Sequence, residues 1–225
     1  MKTKYDESLR EQRQKILSRV LDFVPHDGWT EKSLLKGIQD SGIEREELYR
    51  IFPSGVSDII EFWSLEIDKE MALALEKMNL KELKIRERIF TSVKWRLMAL
   101  ESDKESLRRA LLHLGQPNNM ILGMKCLYRT VDEIWFVSGD TSTDFNFYSK
   151  RGLLAAVYSS TILFWLDDKS DDCKETWSFL NRRIDDVLKI PKMTSKLSNL
   201  SSPHVPNPSR LISQIREQFL EGRRF

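Results

Sequence analysis

Cysteine is scarce in this chain of 225 residues: Cys126 and Cys173 stand alone and far apart. A distant pair makes no disulfide framework, so both thiols are expected to be reduced. Long apolar runs are also missing. None approaches the ~18 residues that span a bilayer, which excludes an ordinary transmembrane helix. Nor is there an excess of one charge: the formal net charge is +2, and the molecule as a whole is no obvious polyanion binder. The opening "MKTKYDESLREQRQ" lacks an apolar signal core. Its acidic residues argue against an intact organellar presequence, so an imported protein of this sequence is expected to be the mature part.

The chain is equally poor in catalytic signatures. Its histidines are His26, His113 and His204, and none pairs with Cys, Asp or Glu at metal-ligand spacing. There is no glycine-rich phosphate loop and no nucleophile elbow. His113, between Leu112 and Leu114, reads as a helix-end histidine. Glu101 and Asp103, Asp167 and Asp168, and Asp171 and Asp172 read as solvated caps and first-turn carboxylates. The expectation is a non-enzyme with no cofactor or metal of its own.

What is present is helix. Ile16, Leu17, Val20, Leu21 and Val24 recur at helical spacing before Pro25 and Gly28. Thr30 is placed to cap "EKSLLKGIQDSG", with Gly42 at its end. A short helix over "EREELYRIF" and a turn at Pro53-Ser54-Gly55 follow. Longer helices are expected over residues 58–78, through "KIRERIFTSVKWRLMAL", and over residues 104–114, 118–137, 144–166 and 171–190. No two-residue alternation lasts long enough for a sheet, and no internal repeat appears. The organisation reads as an all-α domain over residues 1–190, a Ser-, Pro- and Asn-rich linker over 191–208, and an amphipathic helix over 209–225.

The first three helices, followed by "LYRIFPSGVSDI", resemble the helix-turn-helix of the TetR repressor fold, occupying residues 1–53. Leu48, Tyr49, Phe52, Pro53 and Ser54 sit where that pattern wants them. Charge argues against DNA. Between Thr30 and Arg50, Glu31, Asp40, Glu44, Glu46 and Glu47 face only Lys32, Lys36, Arg45 and Arg50. A groove-reading helix draws its affinity from neutralising phosphates, and this one carries the wrong balance. Gly55 stands where such repressors often carry a phosphate-contacting Lys. The motif is expected to survive as architecture, with no nucleic-acid partner.

One stretch, "GDTSTDFNFYSKRGLL", is the most informative. Gly139 can end one helix, and Thr141 to Asp144 fits a capping box for the next. On that helix Asp144, Phe147, Tyr148 and Arg151 fall at i, i+3, i+4 and i+7, which is one face. Such a stripe suits a capped core helix or an interface hot spot, since Tyr and Arg are enriched in hot spots. With "CKETWSFLNRRIDDVL" and the early "RQKILSRVLDFVPHDGWT", it closely resembles the ubiquinone-biosynthesis accessory protein family of mitochondria and alphaproteobacteria, over nearly the whole chain. Phe147 replaces the family's usual Trp and loses an indole N–H donor.

The resemblance implies a TetR-like fold turned to lipid binding, docked on the di-iron hydroxylase of ubiquinone synthesis. Asp144, Phe147, Tyr148 and Arg151 then form the docking patch, with Arg151→Glu expected to weaken binding without unfolding the domain. It also implies a bound isoprenoid lipid or quinone intermediate whose tail is shielded and whose head is exposed, a peripheral place on the matrix side of the mitochondrial inner membrane, and, by fold analogy, a homodimer. Trp95, Met98, Met120, Met124, Trp135, Phe136 and Trp165 are candidates to line a lipid cavity between helices five to eight. The same residues serve equally as ordinary core. In the C-terminal helix, Leu211, Ile212, Ile215 and Phe219 make an apolar stripe, with Arg216 and Arg223 supplying charge. That pattern suits a membrane-surface helix, or one packed on its own domain or a second subunit.

Overall fold

The computed structural model describes residues 2–78, 80–140 and 145–198. Every regular element among these residues is helical. The chain divides into two units, Met1–Val187 and Leu188–Phe225. Within the second, the described residues are the end of the last helix.

α1 spans Lys2–Asp27 and carries Pro25 in its last turn, where the sequence predicts a stop. Proline removes only its own N–H from the ladder. The ladder resumes behind it, with Gly28 N donating to Val24 O at 2.9 Å. α2 (Glu31–Asp40) starts as expected: Thr30 is extended, and its hydroxyl accepts from Ser33 N at 3.2 Å. Gly37 lets α2 lie close on α1. A Cβ there would meet Val20 Cγ2 at 2.3 Å and Val20 N at 2.9 Å. A 3-10 turn, Arg45–Glu47, leads into the short α3, Leu48–Ile51.

The larger helices are α4 (Val56–Lys77), α5 (Ile85–Met98), α6 (Lys104–Leu114), α7 (Met120–Val137), α8 (Phe145–Asp167) and α9 (Lys174–Ser198). Their limits fall near the expected ones, except that α9 continues to Ser198, into the stretch expected to be linker. Composition there weighs Ser and Pro, but Lys192, Met193, Lys196 and Leu197 are good helix formers. The capping box at Thr141 to Asp144 lies outside the described residues. Gly139, at φ +82°, does close α7, its N–H donating to Phe136 O at 2.9 Å.

α1 packs on α2, α4 on α7, and α7 on α8. Ile16, Val20, Val24, Leu34, Ile38, Leu48, Ile51 and Phe52 are buried under the first three helices. Trp29 ties them to the larger bundle. Its indole N–H donates to Ser106 O at 2.9 Å, and its ring lies 5.4 Å from that of Trp63. Asp168 accepts from the N–H of Ser170 and of Thr176 and from the Thr176 hydroxyl, which fastens the start of α9. That is the capping role the sequence assigns it.

Candidate functional site

A cavity of about 400 Å³ lies among α4, α5, α6, α7 and α8. Helical periodicity builds its walls. Ile60, Trp63 and Ile67 come from one face of α4, and Leu107, Ala110, Leu111 and Leu114 from one face of α6. α7 adds Met120, Met124 and Leu127, and α8 adds Ile162 and Leu163. Met120, Met124 and Leu163 are also more than half exposed, so they mark the mouth. Gly123 keeps α7 against the end of α6: a Cβ there would stand 3.2 Å from Leu114 O.

One wall is polar. Ser64, Arg96, Thr130 and Tyr158 line it, from four different helices. Arg96 is 4 % exposed and Asp68, behind it, 2 %. Arg96 Nε donates to Asp68 Oδ1 at 2.8 Å, Nη1 donates to the Tyr158 hydroxyl, and Nη2 to Ser64 Oγ at 3.3 Å. Thr130 donates to Asp68 at 2.9 Å, and Arg129 Nε reaches its other oxygen at 3.2 Å. Burial works to lower the pKa of Arg96, but attraction to the Tyr158 oxygen and Asp68 outweighs it and holds the guanidinium above its ordinary value. Burial raises the pKa of the Tyr158 phenol and of the nearby Cys126 thiol, so both stay protonated. The wall therefore presents one fixed cation and neutral hydroxyl groups, beside an otherwise apolar space.

Of the residues expected to line a lipid cavity, Met120 and Met124 do so. The others do not. Trp135 and Trp165 are core, covered by Lys150 and Lys104 over their rings. Trp95 is half-buried against the core, while Met98 and Phe136 are exposed. Periodicity separates a helix's inner face from its outer face. It does not say which inner positions meet a partner side chain and which meet empty space.

The α8 stripe is divided in a similar way. Tyr148 is 65 % exposed, but Arg151 is 6 % exposed. Arg151 Nε donates to Asp132 Oδ1 at 2.6 Å and Nη1 to Asp140 Oδ2 at 3.3 Å, while Lys150 holds the other oxygen of Asp140 at 2.8 Å. Arg151 thus braces α8 against α7 and the loop after it. It is not a free contact residue, and Arg151→Glu would set a third carboxylate beside Asp132 and Asp140. Tyr128, exposed on α7, belongs to the same neighbourhood: burial raises its pKa first, then Asp132, while Arg151 opposes. The sequence reading missed Tyr128, Asp132 and Asp140; the four-residue step from Tyr128 to Asp132 is a signal for the first two, while Asp140 lies beyond the end of α7. The side chain of Phe147, all of Asp144, and the tail residues Leu211, Ile212, Ile215, Arg216, Phe219 and Arg223 lie outside the description.

In the helix-turn-helix part the charges are spent locally. Lys32 and Lys36 pair with Asp27, Arg50 with Glu47, and the Tyr49 hydroxyl donates to Glu31 at 2.9 Å. Gly55 stands at φ 58°, ψ −122°, where a side chain is strongly disfavoured. His113 sits in the last turn of α6, its pKa lowered by burial. Among the described residues, no three His, Cys, Asp or Glu side chains gather as metal ligands, and no helix is long and apolar enough to cross a membrane.

Comparison with known proteins supplies an independent line. Residues 120–191 match the COQ9 family model. The chain is 32% identical over 191 residues to the mitochondrial ubiquinone biosynthesis protein COQ9 of Homo sapiens, covering 82% of this chain and 60% of that protein. It is 33% identical over 191 residues to the Rattus norvegicus protein, with 82% and 61% covered. The Dictyostelium discoideum protein, named as a probable COQ9, is 29% identical over 189 residues, with 81% and 62% covered. The chain thus spans about 60% of the length of these curated relatives. Among solved structures, a TetR transcriptional regulator from Nitrosomonas europaea superposes with a TM-score of 0.64 at 19% identity, covering 78% of this chain and 97% of that one. The fold is therefore all-helical and TetR-like.

Proposed function

The chain carries a COQ9 domain and is a homologue of the COQ9 proteins of ubiquinone biosynthesis, and from that premise we propose that it is a non-catalytic accessory protein of the same pathway. It binds an isoprenoid quinone intermediate in the α4–α8 cavity and presents it to the di-iron hydroxylase that acts on it. The observation that carries this reading is the cavity itself: an apolar space with a mouth rimmed by exposed methionines, of a size that suits a small-molecule ligand. A long apolar tail resists leaving the bilayer, and a protein that covers part of it lowers the cost of extraction. The chemistry belongs to the partner's metals.

The hydroxylase docks on the α7–α8 face, where the exposed rings of Tyr128 and Tyr148 flank the buried Arg151. Rigid aromatic side chains on a braced surface are what interface hot spots use. The segment of residues 209–225, outside the described residues, holds the protein at the matrix side of the inner membrane. The helix-turn-helix serves as architecture, and no nucleic acid is a partner. Pull-down of the hydroxylase tests the docking part. Tyr148→Ala and Tyr128→Ala are expected to weaken capture about tenfold or more with folding intact. Undiminished capture by both would remove this face from the account.

A further inference from the structure

The corner where α6 turns into α7 carries no formal charge. Residues 110–124 contain no Asp, Glu, Lys or Arg, in a chain that is 31% charged. His113, within that stretch, is kept neutral because burial lowers its pKa. The corner is nevertheless exposed. Ile121 is 84 % exposed and Leu112 70 %, and neither lines the cavity. The exposed Met120, Met124 and Leu163 rim the mouth, so apolar surface outside the domain adjoins the apolar space within it. A patch of this kind on a folded surface marks a contact with something apolar. Backbone polarity in the turn is largely spent internally. Gly115 N donates to Leu111 O, Gln116 N to His113 O, Asn119 N to Gln116 O and Gly123 N to Asn119 O, and Pro117 has no N–H to spend. The Asn119 amide donates to His113 O at 3.1 Å. Paired backbone is the condition for entering a medium that cannot hydrogen-bond. The first charges on either side of the stretch are cations, Arg109 and Lys125. Glu105 and Glu61 pair with them, yet the Lys125 side chain stays 63% exposed.

We propose that this corner dips into a membrane surface, with Leu112, Ile121 and Met124 among the upper acyl chains and Arg109 and Lys125 at headgroup level. Its use rests on the lipid-carrying reading above: a mouth seated in the bilayer lets an apolar tail pass between two apolar phases without crossing water. The contact is separate from the one assigned to residues 209–225. That segment tethers the protein, and the corner orients it. A protein partner fits the corner less well. Interface hot spots are built on Trp, Tyr and Arg, and the corner offers only aliphatic and thioether side chains. The exposed tyrosines, Tyr128 and Tyr148, lie on the α7–α8 face instead. Tyr128 is two turns along α7 from Ile121, about 10 Å at 1.5 Å per residue. A partner docked on that face therefore lies close to the bilayer that holds its substrate.

The test uses the full chain and vesicles of mixed phosphatidylcholine and phosphatidylglycerol. A small fluorophore is attached through Ile121→Cys, and through Leu73→Cys as an exposed position outside the corner. Both native cysteines are buried, so the new thiol is the one labelled. Circular dichroism checks that each variant folds. On adding vesicles, the label at 121 is expected to be quenched by nitroxides on the acyl chains and shielded from iodide, while the label at 73 stays open to iodide. Leu112→Glu with Ile121→Glu is expected to lower vesicle partitioning about tenfold. A label at 121 that stays open to iodide while the protein co-sediments with vesicles would overturn the proposal, since attachment then lies elsewhere. Shielding at 121 before any vesicle is added, with sedimentation as a dimer, would also overturn it and give the corner to a second copy. The carrier reading fails separately. Insertion at 121 in protein that never retains a quinone would keep the corner and remove the cargo, whereas retained quinone with the corner in water would keep the cargo and remove the corner.

Discussion

Arg96 and Asp68 form a buried ion pair, Nε to Oδ1 at 2.8 Å, that joins α5 to α4 directly behind the polar wall of the cavity. Neither residue reaches solvent to any useful degree. Removing one partner strands the other charge. Asp68→Ala is therefore expected to destabilise the domain by about 3–5 kcal/mol, measured by urea unfolding. A loss below about 1 kcal/mol would show that the pair is not the joint described.

A second buried cation gives a different expectation. Arg151 is held by Asp132 and Asp140. Arg151→Glu replaces that attraction with repulsion among three carboxylates and is expected to cost about 3–5 kcal/mol. Thermal unfolding checks this. Loss of hydroxylase capture by that variant would then report on folding, whereas Tyr148→Ala reports on contact.

Acid should loosen the start of α9. Burial works against the Asp168 carboxylate, but hydrogen bonds from Thr176 and Ser170 win and hold its pKa well below the usual carboxylate range. A carboxylate lowered in the folded state stabilises above its unfolded pKa of about 3.9. That contribution is lost as pH falls from there towards the folded value. Asp168→Asn is expected to lower the unfolding midpoint by about 2–4 °C at pH 7, corresponding to about 1 kcal/mol of lost capping. The gap between variant and wild type should narrow at pH 3. An equal gap at both pH values would contradict the assignment.

Much of the fold was legible because helix starts, stops and faces are local. Thr30, Gly42 and Gly139 act as the caps and stops their residue types suggest. Pro25 did not behave as a stop, because a proline loses one ladder bond and the turn behind it can still close. The site was less legible. Met124 and Trp135 lie on the same helix, yet one rims the cavity and the other is core. That choice depends on how four other helices cross, which no single periodicity contains. The polar wall escaped for the same reason: Ser64, Arg96, Thr130 and Tyr158 are distant in sequence and meet only after packing. Arg151 reads as a surface residue until Asp132 and Asp140 close over it.

The tail carries its own expectation. Four apolar side chains on residues 209–225, at roughly 1.5–3 kcal/mol each, set an upper bound of about 6–12 kcal/mol for membrane attachment. Helix ordering and partial insertion reduce this, and basic residues add about 1 kcal/mol apiece at an anionic surface. Deleting the residues after Pro208 should reduce co-sedimentation with anionic liposomes by at least half. Unchanged co-sedimentation would assign this segment to its own domain or a second subunit.

The central claim is that the α4–α8 cavity carries an isoprenoid quinone. Mass spectrometry of the organic extract from full-length protein, purified from a host that makes quinones, tests it most directly. The account predicts a ubiquinone or ring-bearing precursor at near-stoichiometric level. A clean extract from folded protein, even when membrane and hydroxylase are supplied before purification, would contradict it and leave a scaffold that organises the pathway without holding its lipid.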